Sequence, residues 1–395
     1  MSEKFLGLDL GSKNLKLCVA EINETGELNL LTTIKKEINS FRNGEIIDDE
    51  EFNKEVIGFL KDLIFQLGIK NYKIVLSFSS STFNFQKIKA KTIVENREVS
   101  EEDIKRCKQI AKTSLISQNY ETIYEETINY FLDNSPTSTR NPLGFEARYL
   151  EIELGLIQVF KSFFLKLQNF FKENKIKIDL FLPNPIGASY VVVEDKDKES
   201  GCVLMDIGYK TTVISVFNER KLVNFNSFQF GYEDLIKDIT LEYGISEIDW
   251  LKIVNEFLED SKNKKSSLKI GKQKISYSNF LKFVEKRILF YFKKREINDY
   301  FNKLKENYSL INGVYLIGGL TNLPEIENII KKSIRILTRK GKTIEGLIEI
   351  ESGDFYNSLG NLNYFLENYQ DKEFWEDFWG FFKNLFSNFF PFSSK

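Results

Sequence analysis

The chain has 395 residues, with 55 basic and 57 acidic side chains. That is too long for one compact core and too evenly charged for a global field favouring nucleic acid, so no nucleic-acid partner is expected. It contains no histidine, which excludes Ser-His-Asp and Cys-His nucleophiles and histidine metal sites. Cys18, Cys107 and Cys202 are far apart, and two of them sit in apolar runs, so they read as small buried hydrophobes of a reducing compartment. Met1-Ser2-Glu3-Lys4 passes directly into a strand, so no signal peptide is expected. No apolar run reaches the roughly 18 residues that a membrane-crossing helix requires.

Taken in order, Phe5-Leu6-Gly7-Leu8-Asp9-Leu10-Gly11-Ser12-Lys13-Asn14 followed by Leu15 to Ile22 predicts a β-hairpin. A helix is expected from Asp49 to Leu67 and a strand from Lys73 to Phe78, completing a three-layer α/β core over 1–80. From 81 to 155 the pattern changes to an inserted α+β subdomain. It has an alternating segment from Thr82 to Val94 and a helix opened by Ser100-Glu101-Glu102-Asp103. Strands follow around Thr122–Leu132 and Phe145–Leu154. A long helix, Gln158 to Glu173, and a strand near Ile178–Leu182 form a connection over 156–185.

The second core, 186–230, opens with Cys202-Val203-Leu204-Met205-Asp206-Ile207-Gly208-Tyr209-Lys210-Thr211 and a returning strand, Thr212 to Phe217. It repeats the first hairpin: an apolar strand ending in Asp-apolar-Gly, a tight turn, and a second apolar strand. A mostly helical, Lys-rich subdomain is expected over 231–312. Core structure then returns over 313–367, where Val314-Tyr315-Leu316-Ile317 runs into Gly318-Gly319 and a helix begins near Pro324. Two such hairpins facing each other can present backbone N–H groups to the phosphates of one nucleotide, with Asp9 and Asp206 reaching a hydrated Mg²⁺ between them. The Gly-Gly turn lets a flat base approach the backbone.

The three segments resemble the phosphate-one, phosphate-two and adenosine motifs of the actin-like ATPase superfamily. Val99-Ser100-Glu101-Glu102-Asp103-Ile104 and Asn141-Pro142-Leu143-Gly144-Phe145 resemble the inserted subdomain of the FtsA family, and PilM proteins carry a related insertion at the same place. The resemblance implies an α/β, actin-like ATPase fold of two related lobes, with an inserted α+β subdomain in the first lobe and a C-terminal amphipathic helix. It also implies ATP as ligand. Gly11, Ser12, Lys13 and Asn14 would line one phosphate side, and Gly208, Lys210, Thr211 and Thr212 the other. Asp249 and Lys252, in a segment like the family's ribose-binding helix, would hold the sugar and base beside Gly318 and Gly319. Ser352 to Gly360 resembles the segment that returns over the nucleotide.

Two departures from the family bear on turnover. Tyr209-Lys210 stands where relatives carry small residues, and Asn184-Pro185 where many carry Glu-Pro. An amide cannot act as a base, so the implied activity is at most a slow ATPase.

After a short linker, 368–372, residues 373–392 show polar or small side chains at i, i+3, i+4, i+7 spacing. The opposite face would carry Phe374, Trp375, Phe378, Trp379, Phe381, Phe382, Leu385, Phe386, Phe389 and Phe390. Such a face either packs on protein or lies in a membrane interface, and the FtsA resemblance favours the membrane. The helix is net acidic, so adsorption would rest on buried aromatic area, strengthened by avidity in a filament. The implied protein polymerises on the cytoplasmic face of the inner membrane at the division site. Its partners would be the lipid surface, copies of itself, an FtsZ-like tubulin homologue and later division proteins. The rival expectation is a PilM-like cytoplasmic adaptor without a lipid anchor. A small-molecule kinase of the same superfamily would need an acid–base pair between the lobes, and the sequence offers none.

Overall fold

The computed structural model describes residues 3–23, 28–114, 119–259, 267–270, 273–348 and 353–370. The expected amphipathic helix at 373–392 lies outside the described residues. The first lobe is built on the strands β1 (Lys4–Leu10), β2 (Asn14–Ile22), β3 (Leu28–Glu37), β4 (Tyr72–Phe78) and, later in the chain, Leu180–Pro183. β1, β2 and β3 form an antiparallel meander, while β4 and then Leu180–Pro183 add parallel to β1 on its other side. The helix α1 crosses one face as Asp49–Phe52, a π-helical stretch Asn53–Gly58, and Phe59–Gln66. It starts because the Asp48 side chain accepts from the Glu51 N–H at 2.9 Å, and it buries Phe52, Val56, Leu60 and Leu63 against the sheet.

The insertion is a separate antiparallel sheet of β5 (Asn84–Ile93), β6 (Tyr120–Leu132), β7 (Ser138–Thr139) and β8 (Tyr149–Phe160), in the order β5-β8-β6-β7. Helix α2 (Glu101–Ser114) closes a small core of Ala90, Val99, Cys107, Ala111, Leu150, Ile152 and Leu154. The last strand reaches Phe160, so helix α3 (Lys161–Glu173) starts later than the pattern from Gln158 predicts. Gln158 is buried in the sheet, where Asn84 and Thr122 bond its amide, and that tertiary pairing overrides the helical reading.

The second lobe repeats the first lobe's topology. Here the Leu180–Pro183 strand counts as β9, and β10 (Cys202–Ile207), β11 (Thr212–Asn218) and β12 (Lys221–Phe228) form the meander. β13 (Val314–Ile317) and β14 (Thr338–Lys340) lie parallel beyond β10. The expected two related lobes are present in this strand order. Helices α4 (Tyr232–Tyr243), α5 (Glu247–Glu259), α6 (Tyr277–Lys294) and α7 (Ile297–Asn307) follow the meander and bury Trp250, Phe280, Phe292 and Phe301. After α8 (Ile326–Ile334), the chain returns to the first lobe as α9 (Tyr356–Phe365), which lies across β1. All three cysteines are free and buried, and no described helix is long and apolar enough to cross a membrane.

Candidate functional site between the lobes

The two hairpins meet at a cleft of about 260 Å³. Each has a four-residue turn closed by the same backbone bond: Gly11 N–H to Asn14 O at 3.1 Å, and Gly208 N–H to Thr211 O at 2.9 Å. Gly11, Ser12, Lys13 and Asn14 line the cleft from the first lobe, and Gly208, Tyr209 and Thr211 from the second. Gly318 and Gly319 line a third side with Ile317, Tyr232, Ile236 and Asn322. Gly318 has φ +90°, and a Cβ there would fall 2.3 Å from Asp206 Oδ1, so glycine is required for the strand to pass the carboxylate.

Asp9 and Asp206 occupy equivalent positions, each the second residue before its turn, and are 2% and 5% exposed. Each receives one side-chain amide, from the segment after β9 and from the first turn of α9 respectively. Asn184 Nδ2 donates to Asp9 Oδ1 at 2.8 Å, and Asn357 Nδ2 donates to Asp206 Oδ2 at 2.9 Å. Both amide oxygens, Asn184 Oδ1 and Asn357 Oδ1, are buried with no hydrogen-bond partner. Burial pushes the Asp206 carboxyl up to about 6, against the Asn357 bond that favours its charged form.

Two carboxylates and two orphaned amide oxygens make an all-oxygen donor set. Among the described residues no group of three His, Cys, Asp or Glu side chains is placed to hold a metal ion by itself. That set fits a Mg²⁺ ion that keeps most of its waters, held by Asp9 and Asp206, and it does not fit a stripped zinc or calcium cage. Bound there, the ion would neutralise phosphate charge.

Lys16 was not among the expected site residues. It lies opposite Asp9 in the β1–β2 ladder and points into the cleft, with Nζ 3.4 Å from Asp9 Oδ2. Burial works to discharge it, but Asp9, Asp354 and Asp206 more than reverse this, so its pKa lies above the ordinary lysine value. Its signal was the hairpin register: the turn at Gly11–Asn14 pairs Leu10 with Leu15 and so sets Lys16 on the same face as Asp9. Lys35, Asp354 and Asn357 also reach the cleft, with Lys35 Nζ 2.6 Å from Asp354.

Four expected residues stand elsewhere. Lys210 turns away to Glu233 at 2.8 Å, sharing that carboxylate with Lys237 at 2.9 Å. Thr212 is fully buried and donates to Phe230 O at 2.8 Å. Asp249 forms a capping box with Ser246, accepting from its hydroxyl at 2.7 Å while the Asp249 N–H donates to Ser246 Oγ at 3.1 Å. Lys252 is exposed on the same helix and does not line the cleft.

Residues 81–158 match the family described as the SHS2 domain inserted in FtsA. The FtsA of Bacillus subtilis is 24% identical over 243 residues, which is 61% of this chain and 54% of that protein. The FtsA of Pseudomonas aeruginosa is 19% identical over 60% of this chain and 56% of its own length, so these alignments span little more than half of the relatives. The FtsA of Enterococcus faecalis is 20% identical over 82% of this chain and 75% of its own length. Among solved structures, the PilM–PilN type IV pilus biogenesis complex aligns with a TM-score of 0.61 at 12% identity, covering 91% of this chain and 97% of the matched one. MreB5 of Spiroplasma citri bound to AMPPNP aligns at 0.50 and 15% identity, covering 95% and 99%. The fold is thus that of the actin-like ATPases, the inserted segment matches the SHS2 domain of FtsA, and the sequence is similar to that of FtsA proteins.

Proposed function

We propose that this chain is an ATP-binding, actin-like cell-division protein. It assembles into filaments on the cytoplasmic face of the inner membrane and tethers an FtsZ-like tubulin homologue there. The observation that carries the reading is an FtsA-type SHS2 domain built into the first lobe of an actin-like fold. In this reading the phosphates lie between the turns at Gly11–Asn14 and Gly208–Thr211, and Lys16 faces them. Asp9 and Asp206 hold Mg²⁺ through water, and the base lies along Gly318-Gly319 beside Tyr232 and Ile236. Asn184 gives its amide to Asp9 and supplies no base, so binding governs assembly and hydrolysis is slow. Lipid attachment rests on the aromatic residues of 373–392, whose composition suits an interface.

The test is sedimentation of the full chain, and of a chain ending at Asp371, with liposomes and an FtsZ-like polymer in the presence of MgATP. The reading requires the full chain to carry the polymer down with the liposomes and the shortened chain to leave both in solution. If both chains stay soluble, or both pellet equally, the lipid anchor is wrong and a soluble PilM-like adaptor takes its place.

A further inference from the structure

One contact crosses the mouth of the cleft. Lys13, on the first-lobe turn, pairs with Glu247, the first residue of α5 in the second lobe, across 234 residues of sequence. The ammonium also lies over the Tyr209 ring, 4.9 Å from its centroid, and the Tyr209 hydroxyl stands 3.4 Å from Glu247 Oε1. The three side chains form a closed set from both lobes. Lys13 and Tyr209 line the cleft, and Glu247 stands just outside it. Both members of the ion pair are partly shielded, at 25% and 42% exposure, so the attraction exceeds that of a fully solvated pair.

We propose that Lys13, Glu247 and Tyr209 are a clasp that ties the two lobes together at the cleft, and that a phosphate-bearing ligand seats only by taking Lys13 from Glu247. This rests on the nucleotide reading above. One ammonium cannot serve a carboxylate outside the cleft and a phosphate inside it at full strength. Glu247 is therefore an affinity-setting residue that acts against the ligand. Tyr209 gives this turn a bulky ring that steers the ammonium toward Glu247. Freeing Glu247 releases the start of α5, so phosphate binding is coupled to the position of the small helical subdomain.

Equilibrium binding of MgATP and of adenosine, which lacks phosphate, tests the clasp on the full chain. Glu247→Gln should tighten ATP roughly three- to tenfold, in line with a partly shielded ion pair. Adenosine binding should not change. Lys13→Met should weaken ATP, and adding Glu247→Gln to it should bring no further gain. An unchanged or weaker affinity in Glu247→Gln overturns the proposal, and so does an equal gain in the Lys13→Met background. If the wild type binds no nucleotide, the nucleotide reading fails on its own, and the clasp is decided without ligand. Spin labels at Glu45→Cys and Glu242→Cys, both exposed and on opposite lobes, should then show a longer or broader distance in Glu247→Gln. An identical distribution overturns the clasp.

Discussion

Gly7 of β1 and Ser358 of α9 touch backbone to backbone: a Cβ on Gly7 would lie 1.9 Å from the Ser358 carbonyl oxygen. The contact seats the returning helix on the first-lobe sheet and so sets where Asn357 meets Asp206. Because the obstruction is backbone, no rotamer change relieves it. Gly7→Ala should cost about 3 kcal/mol. Urea denaturation reads this, and a cost near zero would mean that α9 does not pack as described.

The same helix is pinned by Asn361, whose Nδ2 donates to Leu8 O at 3.0 Å and to Ser77 Oγ at 2.8 Å. Asn361→Leu removes both bonds, leaving Leu8 O with only the longer donation from the Ser77 hydroxyl at 3.4 Å, and should cost about 1 kcal/mol. Thermal unfolding measures the loss. An unchanged midpoint would contradict it.

Lys16 and Lys210 separate the geometry from the motif. Lys16 neutralises Asp9 and Asp206 in a buried setting, whereas Lys210 is occupied with Glu233 outside the cleft. Lys16→Met should destabilise the nucleotide-free protein by about 3 kcal/mol, because it strands buried charge. The same change should weaken ATP binding. Lys210→Met should leave ATP affinity within about twofold, the scale of a peripheral pair. Calorimetric titration of both variants decides between them, and the reverse ranking would favour the motif over the geometry.

The inserted domain carries a pH signature. Burial raises the Asp103 carboxyl, but bonds from the Ser100 hydroxyl (2.7 Å) and N–H (3.0 Å), together with the Arg106 guanidinium, more than reverse this and hold it below the usual range. Its folded pKa is therefore below its unfolded one. The stabilisation is complete above about pH 4, the ordinary value for Asp, and is lost as pH falls through the depressed folded value. Asp103→Asn should cost about 1–2 kcal/mol at pH 7, with the difference shrinking below pH 4. A difference independent of pH would contradict this assignment.

Much of the site was legible because its chemistry is written in strand endings. Apolar residues followed by Asp-apolar-Gly placed Asp9, Asp206 and both turns, and Ile317 running into Gly318-Gly319 placed the third wall. The Ser100–Asp103 cap marked the start of α2 for the same local reason. Legibility failed where tertiary packing chooses the direction of a side chain. Lys16 reads as one lysine in an apolar strand until the hairpin register sets it opposite Asp9. Within 352–360, the segment expected to return over the nucleotide, nothing singled out Asp354 and Asn357, which reach the cleft as α9 folds back over β1. Asp249 and Lys252 illustrate the converse, since a helix that begins with its own capping box needs no ligand to account for its acid.

The account's central claim is that the cleft between Asp9 and Asp206 binds a magnesium nucleotide. Calorimetric titration of the full chain with ATP, in Mg²⁺ and in EDTA, beside Asp206→Asn, tests it most directly. The account predicts one ATP per chain in the wild type, and loss of about 10- to 100-fold of the Mg²⁺-dependent affinity in Asp206→Asn, as for a carboxylate that holds the ion through water. Absence of ATP binding in the wild type, or equal Mg²⁺ dependence in the two proteins, would contradict it.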